Sequence, residues 1–180
     1  MIKRMGLVLA FTILASGLAL SQSAKRRAYY NKEFKVGFKY PANWQLDDAK
    51  KPMDDEPGFT LLADVSPPER SLRGQLHQAS ATIAAGTVSE AACKAFLNPN
   101  GESTKPRRMK IGKIIFYKVS SSDGAAGSVG ETDTYRTLHA GRCYEISLMT
   151  FRRNGVKPDR TVRMVDHSLD AIFRSFYFGK

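Results

Sequence analysis

The stretch that decides the fold is Arg142-Cys143-Tyr144-Glu145-Ile146-Ser147-Leu148-Met149-Thr150-Phe151. It alternates as a strand does, with Tyr144, Ile146 and Leu148 pointing one way and Cys143 and Glu145 the other. The short joint His139-Ala140-Gly141 links it to a preceding strand over Glu131–Leu138, which makes the two a hairpin. Its apolar face needs a cover, and the segment Pro158–Phe178 supplies one. There Val162, Val165, Leu169, Ile172, Phe173 and Phe176 recur at helical spacing and define one apolar stripe, while Arg163, Asp166, Asp170 and Arg174 occupy the remainder.

Working outward, the first 24 residues say where the chain acts. Lys3 and Arg4 precede an uncharged apolar run from Met5 to Leu20, followed by the small-residue stretch Ser21-Gln22-Ser23-Ala24. These are the three parts of a secretory signal peptide, and the run is short for a membrane span, which needs about 20 apolar residues. Cleavage after Ser21 or Ser23 and a periplasmic or secreted destination are expected. Lys25, Arg26 and Arg27 follow directly, and positive charge there resists translocation. An uncleaved anchor is the alternative. The domain plan is therefore a signal peptide over 1–24, an N-terminal extension over 25–32 and one domain over 33–180.

Export changes the meaning of the cysteines. Only Cys93 and Cys143 occur, and they form no CxxC unit. An even count in an exported chain reads as one structural disulfide. If the C-terminal helix covers Tyr144, Ile146 and Leu148, Cys143 lies on the other sheet face. A helix expected over Ser89–Leu97, with Ser89 as its N-cap, would then be tied over that second face. The fold class is α+β: an α/β/α sandwich with a central, mostly antiparallel sheet.

Charge narrows the partners. The chain carries 28 Lys and Arg against 17 Asp and Glu, a net +11. Lys3 and Arg4 leave with the leader, so the mature charge is +9. Outside the cytoplasm the abundant anions are lipid head groups and envelope polymers, which attract a basic surface through a salt-sensitive field. The expected partner is an anionic membrane or envelope surface, or an envelope protein, and no nucleic acid. Two basic clusters are candidates for anion binding: Lys105, Arg107, Arg108 and Lys110, with Lys113 beside them, and Arg152, Arg153 and Lys157, with Arg160 beyond.

Other strands are expected over Phe34–Tyr40, Gly58–Val65, His77–Gly86 and Lys113–Ser120. Ala79, Ala81 and Ala85 on one side of His77–Gly86 imply close packing against that face. Asp47–Pro57, with five acids and two prolines, reads as an exposed loop, and Ser120–Gly130 as a flexible connection.

In this order the chain resembles the PsbP-like domains, the family of the photosystem II extrinsic protein and of many small exported bacterial proteins. The resemblance rests on an aromatic strand running into Tyr40-Pro41-Ala42-Asn43-Trp44, on Tyr135 and Gly141-Arg142-Cys143-Tyr144-Glu145 in the late hairpin, and on Leu169, Ile172 and Ser175-Phe176 in the closing helix. It spans about residues 33–178, sparsely. It implies an α/β/α sandwich and a binding or assembly role, and it carries over no catalytic motif.

Chemistry-bearing patterns are sparse. Gly124, Gly127 and Gly130 precede a strand and lack the spacing of a phosphate loop. His77, His139 and His167 stand on three different elements, with no HxH or HExxH unit. Asp54, Asp55 and Glu56 lack the alternating oxygen-ligand pattern of a calcium loop. No catalytic, cofactor or metal site is expected. The expected role is an exported, non-enzymatic binding or assembly module. The alternative is a small periplasmic hydrolase whose site gathers isolated residues such as His139, Glu145 and Asp133.

Overall fold

The computed structural model describes residues 25–48, 50–53, 56–97 and 103–180. The expected signal peptide over 1–24, its cleavage positions, and Asp54 and Asp55 lie outside the described residues. In chain order the elements are β1 (Arg26–Asn31), β2 (Val36–Pro41), β3 (Gln45–Asp47), β4 (Lys51–Pro52), β5 (Phe59–Ser66), β6 (Leu76–Gly86), α1 (Glu90–Lys94), β7 (Phe96–Leu97), β8 (Ser103–Thr104), β9 (Arg107–Ile111), β10 (Ile114–Ala125), β11 (Ser128–His139), β12 (Arg142–Arg153), α2 (Arg160–Arg174) and β13 (Tyr177–Phe178).

The large sheet is antiparallel, in the order β3-β5-β6-β12-β11-β10-β9, with β4 also on β5. A small antiparallel sheet, β1-β2-β13, and α2 close over one of its faces. Parity on β12 decides which face. Tyr144, Ile146 and Leu148 are buried with Val162, Val165, Leu169, Ile172 and Phe173 of α2, with Phe176 just after it, and with Val36, Phe38 and Tyr40 of β2. Phe173 is the hub, with its ring 3.8 Å from Tyr135 and 5.0 Å from Phe116. Ala79, Ala81 and Ala85 line the same core, as their small size implies. Asp159 starts α2 by accepting a hydrogen bond from the Val162 amide at 2.9 Å. Trp44 is buried in this core beside the first turn.

Cys93 and Cys143 are bonded. With Phe59 and Ala84 they form a second, smaller core on the opposite face, where α1 lies. Only five residues are helical there, because Ala95 turns to extended geometry (φ −87°, ψ 122°) and Phe96–Leu97 pairs with Ser103–Thr104 as a strand. The helix expected over Ser89–Leu97 is thus cut short.

Three other expectations change. Residues 25–32 are part of the fold rather than an extension, since β1 pairs with β2 and places Tyr29 in the core. The C-terminal helix ends at Arg174, and Tyr177–Phe178 returns as a strand against Gly37 and Val36. The Ser120–Gly130 connection is a regular two-stranded ladder as far as Ala125↔Ser128. Its turn is Ala126-Gly127, with φ 49° and 78°, and Ala140-Gly141 turns the next hairpin with φ 49° and 75°. Positive φ at both positions matches the right-handed twist of the flanking strands, and glycine takes the second without strain.

Candidate functional site

The β10–β11 ladder ends at Tyr117↔Arg136, although β10 begins at Ile114 and β11 continues to His139. The strands part there, and a cleft of about 670 Å³ occupies the opening. A volume of that size is in the usual range of ligand sites, about 300–1,000 Å³.

The aromatic end of the chain lies under the opening. Phe176 sits 6.1 Å from the ring of Phe116 on β10, and Phe178 stacks on His139 of β11 at 3.8 Å, with 5.3 Å between Phe176 and Phe178. This row of rings reaches both lips from the core side. Folding a helix that must end in a β13 pairing with β2 brings those two phenylalanines under the opening.

The register identifies the backbone left over. Gly112-Lys113 is a two-residue turn closed by Ile111↔Ile114, and Gly112 supplies its positive φ of 58°. The closing pair of such a hairpin is hydrogen-bonded, so Ile114 faces β9 and the N–H and C=O of Ile115 face β11. By the same reasoning His139↔Arg142 closes the next hairpin, and the N–H and C=O of Leu138 face β10. Ile115 and Leu138 would be the next hydrogen-bonded pair after Tyr117↔Arg136. They are not paired, and both side chains are exposed at the cleft.

The rim is cationic. Lys113 and Arg174 line the opening with His139, and among the described residues no carboxylate does. Arg174 is held by Asp170 at 2.6 Å on the helix surface, whereas Lys113 has no ion-pair partner among the described residues. Lys110 pairs with Ile115 across β9–β10 and so stands beside the same opening.

Of the first basic cluster and its neighbour Lys113, only Lys113 lines the cleft and Lys110 stands next to it, while Arg108 and Arg107 lie opposite Tyr117 and Lys118, further along the ladder. Arg107, Arg108 and Lys110 are exposed on the edge strand β9, with Lys105 exposed just before it. The second cluster does not join them. Cys143 lies opposite Leu138, and Arg152 is nine residues further along β12, about 30 Å at 3.4 Å per residue. Arg152 is also engaged by Glu131 at 2.7 Å, and Arg153 and Lys157 remain exposed.

His139, Glu145 and Asp133 are not brought together. Glu145 is buried on the disulfide face, where Arg136 Nε donates to its Oε2 at 2.6 Å and Ser147 donates to its Oε1. Burial pushes its carboxyl above the usual range, against the lowering effect of Arg136. Asp133 is on the opposite face, six residues from His139 along β11, about 20 Å away. It accepts from Ser120 at 2.5 Å and pairs with Lys118 at 2.8 Å. Among the described residues no three His, Cys, Asp or Glu side chains converge.

Sequence patterns pointed to the β9 cations but not to Ile115, Leu138, Phe176 or Phe178. No local pattern announces where a ladder stops. A signal did exist for Arg136 and Glu145, because fixing the Ala140-Gly141 turn makes them cross-strand partners.

No family model matches the chain, and no curated protein matches it. Among solved structures it is similar to a crystal structure from Bacteroides thetaiotaomicron, with 11% identity over 85% of this chain and 48% of the other, at a TM-score of 0.49. This chain spans about half the length of that protein. It is also similar to cyanobacterial PsbP (CyanoP) from Synechocystis, with 12% identity over 86% and 93% of the two chains, at a TM-score of 0.40. A third similarity is to LpqN of Mycobacterium tuberculosis, a protein involved in cell envelope biogenesis, with 8% identity over 87% and 91%, at 0.46.

Proposed function

We propose that this protein is an exported, non-enzymatic binding or assembly module of the cell envelope, engaging its partner at the cleft between β10 and β11. The observation that carries this reading is the split ladder itself. It presents unpaired strand backbone at Ile115 and Leu138, an aromatic floor and a cationic rim in one place. Apolar surface with a few oriented polar groups is the chemistry of recognition. The Cys93–Cys143 bond supports the exported location, since such bonds persist in oxidising compartments.

A pull-down from native envelope extract tests this. A partner retained by the wild-type domain and by Met164→Asp, on the exposed face of α2, but lost by Leu138→Asp, is the expected result. Equal retention by all three proteins would move the binding surface away from the cleft. No specific retention by any of them would overturn the module reading.

A further inference from the structure

We propose that the occupant of the cleft is an extended, acidic peptide segment of a partner protein, added as a strand at the β10–β11 split. This rests on the binding-module reading above and specifies its ligand. Three independent features of the opening meet in that one chemistry.

The first is the backbone. Ile115 and Leu138 each turn an N–H and a C=O toward the gap just past the end of the β10–β11 ladder, while on their other sides they lie opposite Lys110 and Cys143. A donor and an acceptor side by side on each lip are satisfied by an extended backbone, the mode in which a peptide joins a sheet. An acyl chain would fill the volume and leave those groups unpaired.

The second is parity. A strand sends alternate side chains to opposite faces. One set from an inserted segment would meet Ile111, Phe176 and Phe178 on the core side. The other would meet Lys110, Ile115 and Leu138 on the disulfide side.

The third is charge. Lys113 lines the opening with no ion-pair partner among the described residues, Arg174 lines it while held by Asp170, and Lys110 stands next to it. The cations on the edge strand β9, Arg107, Arg108 and Lys110, discourage pairing with like strands, and they favour a segment of opposite sign. The occupant therefore alternates apolar and acidic residues.

Fluorescence polarisation with labelled heptapeptides of alternating glutamate and valine tests the proposal on the full mature domain. The expected result is binding at least tenfold tighter than the lysine–valine counterpart, weakened at least tenfold by Lys110→Glu with Lys113→Glu. A version N-methylated at alternate residues should also lose at least tenfold, because it lacks the donors. Amide exchange gives a second readout. The Ile115 and Leu138 amides should slow on adding the peptide, a change that rim electrostatics alone would not produce. Equal binding of the glutamate and lysine peptides, or no slowing at either amide, overturns the proposal. If dodecanoate or anionic phosphatidylglycerol vesicles are retained in a way that Leu138→Asp abolishes, while no peptide binds, the peptide is wrong and the cleft stands. If none of these ligands binds and the envelope pull-down is also empty, the module reading falls with it.

Discussion

Arg136 Nε donates to Glu145 Oε2 at 2.6 Å across the β11–β12 ladder, and each side chain is only 7% exposed. The guanidinium is shared further: it donates to Glu56 Oε1 at 2.6 Å and to the Ala95 carbonyl at 3.0 Å, and it lies over the Phe59 ring. One side chain thus ties the loop before β5, the end of α1 and two neighbouring strands into the disulfide face. Each partner comes from a different part of the sequence, so the pair organises the weaker of the two cores.

Removing Arg136 alone leaves Glu145 buried without its counter-charge. Arg136→Met is expected to destabilise the domain by about 3–5 kcal/mol, whereas Arg136→Met with Glu145→Leu should recover most of that loss. Urea unfolding of the two single variants and the double variant measures it. Additive losses would show that the two side chains act independently.

The disulfide serves the same face. Alpha-helices as short as the five residues of α1 are not stable alone, and the bond to Cys143 holds α1 to the sheet. Thiol titration of denatured, unreduced mature protein should find no free thiol. Cys93→Ala with Cys143→Ala should lower stability by about 4 kcal/mol on the chain-entropy model for a 50-residue separation. Amide exchange at Cys93 and Ala95, both hydrogen-bonded in α1, should become fast before global unfolding.

Much of the main core was legible because periodicity reports burial directly. The six apolar residues of the Val162–Phe176 stripe are all buried, and the alternation on β12 assigned its two faces correctly. Other elements are defined by long-range pairing rather than local pattern. Ser120–Ala125 has weak strand propensity, and its ladder with Ser128–Asp133 forms because β12 pairs with the other edge of β11. The charges of Arg26 and Arg27 obscure the core role of Tyr29, and β13 exists only because Gly37 and Val36 offer it an edge. The cleft was illegible for the same reason: the cations beside it are written in β9, but the gap is a missing pairing.

Asp64 on β5 carries a testable electrostatic burden. Its Oδ1 is buried without a hydrogen-bond partner among the described residues. Burial first, and the neighbouring Asp47 carboxylate second, raise its pKa. A carboxyl with a raised folded-state pKa binds more protons folded than unfolded, so its contribution to stability falls as pH rises through that raised value. Asp64→Asn should therefore raise Tm at pH 7, with the gain shrinking toward pH 4 as wild-type Asp64 takes up its proton. Thermal melts across this range check the sign. A gain that is constant with pH would assign the effect to packing instead.

The split ladder makes a prediction about the free protein that needs no ligand. Tyr117 and Arg136 are the last pair of the β10–β11 ladder, while Ile115 and Leu138, two residues further along each strand, are not paired with each other. Backbone N–H groups outside a ladder exchange with solvent through small local openings, and those inside it wait for larger ones. In the free domain the Ile115 and Leu138 amides should exchange at least a hundredfold faster than those of Tyr117 and Arg136, as read by amide exchange in solution. The aromatic row of Phe116, Phe176, Phe178 and His139 touches both lips. Phe178→Ala removes its β11 contact, so that variant should let the ladder close and slow Ile115 and Leu138 toward the rates of their neighbours. Slow exchange at both positions in the wild-type domain would mean that the strands are paired in solution and the cleft is shut.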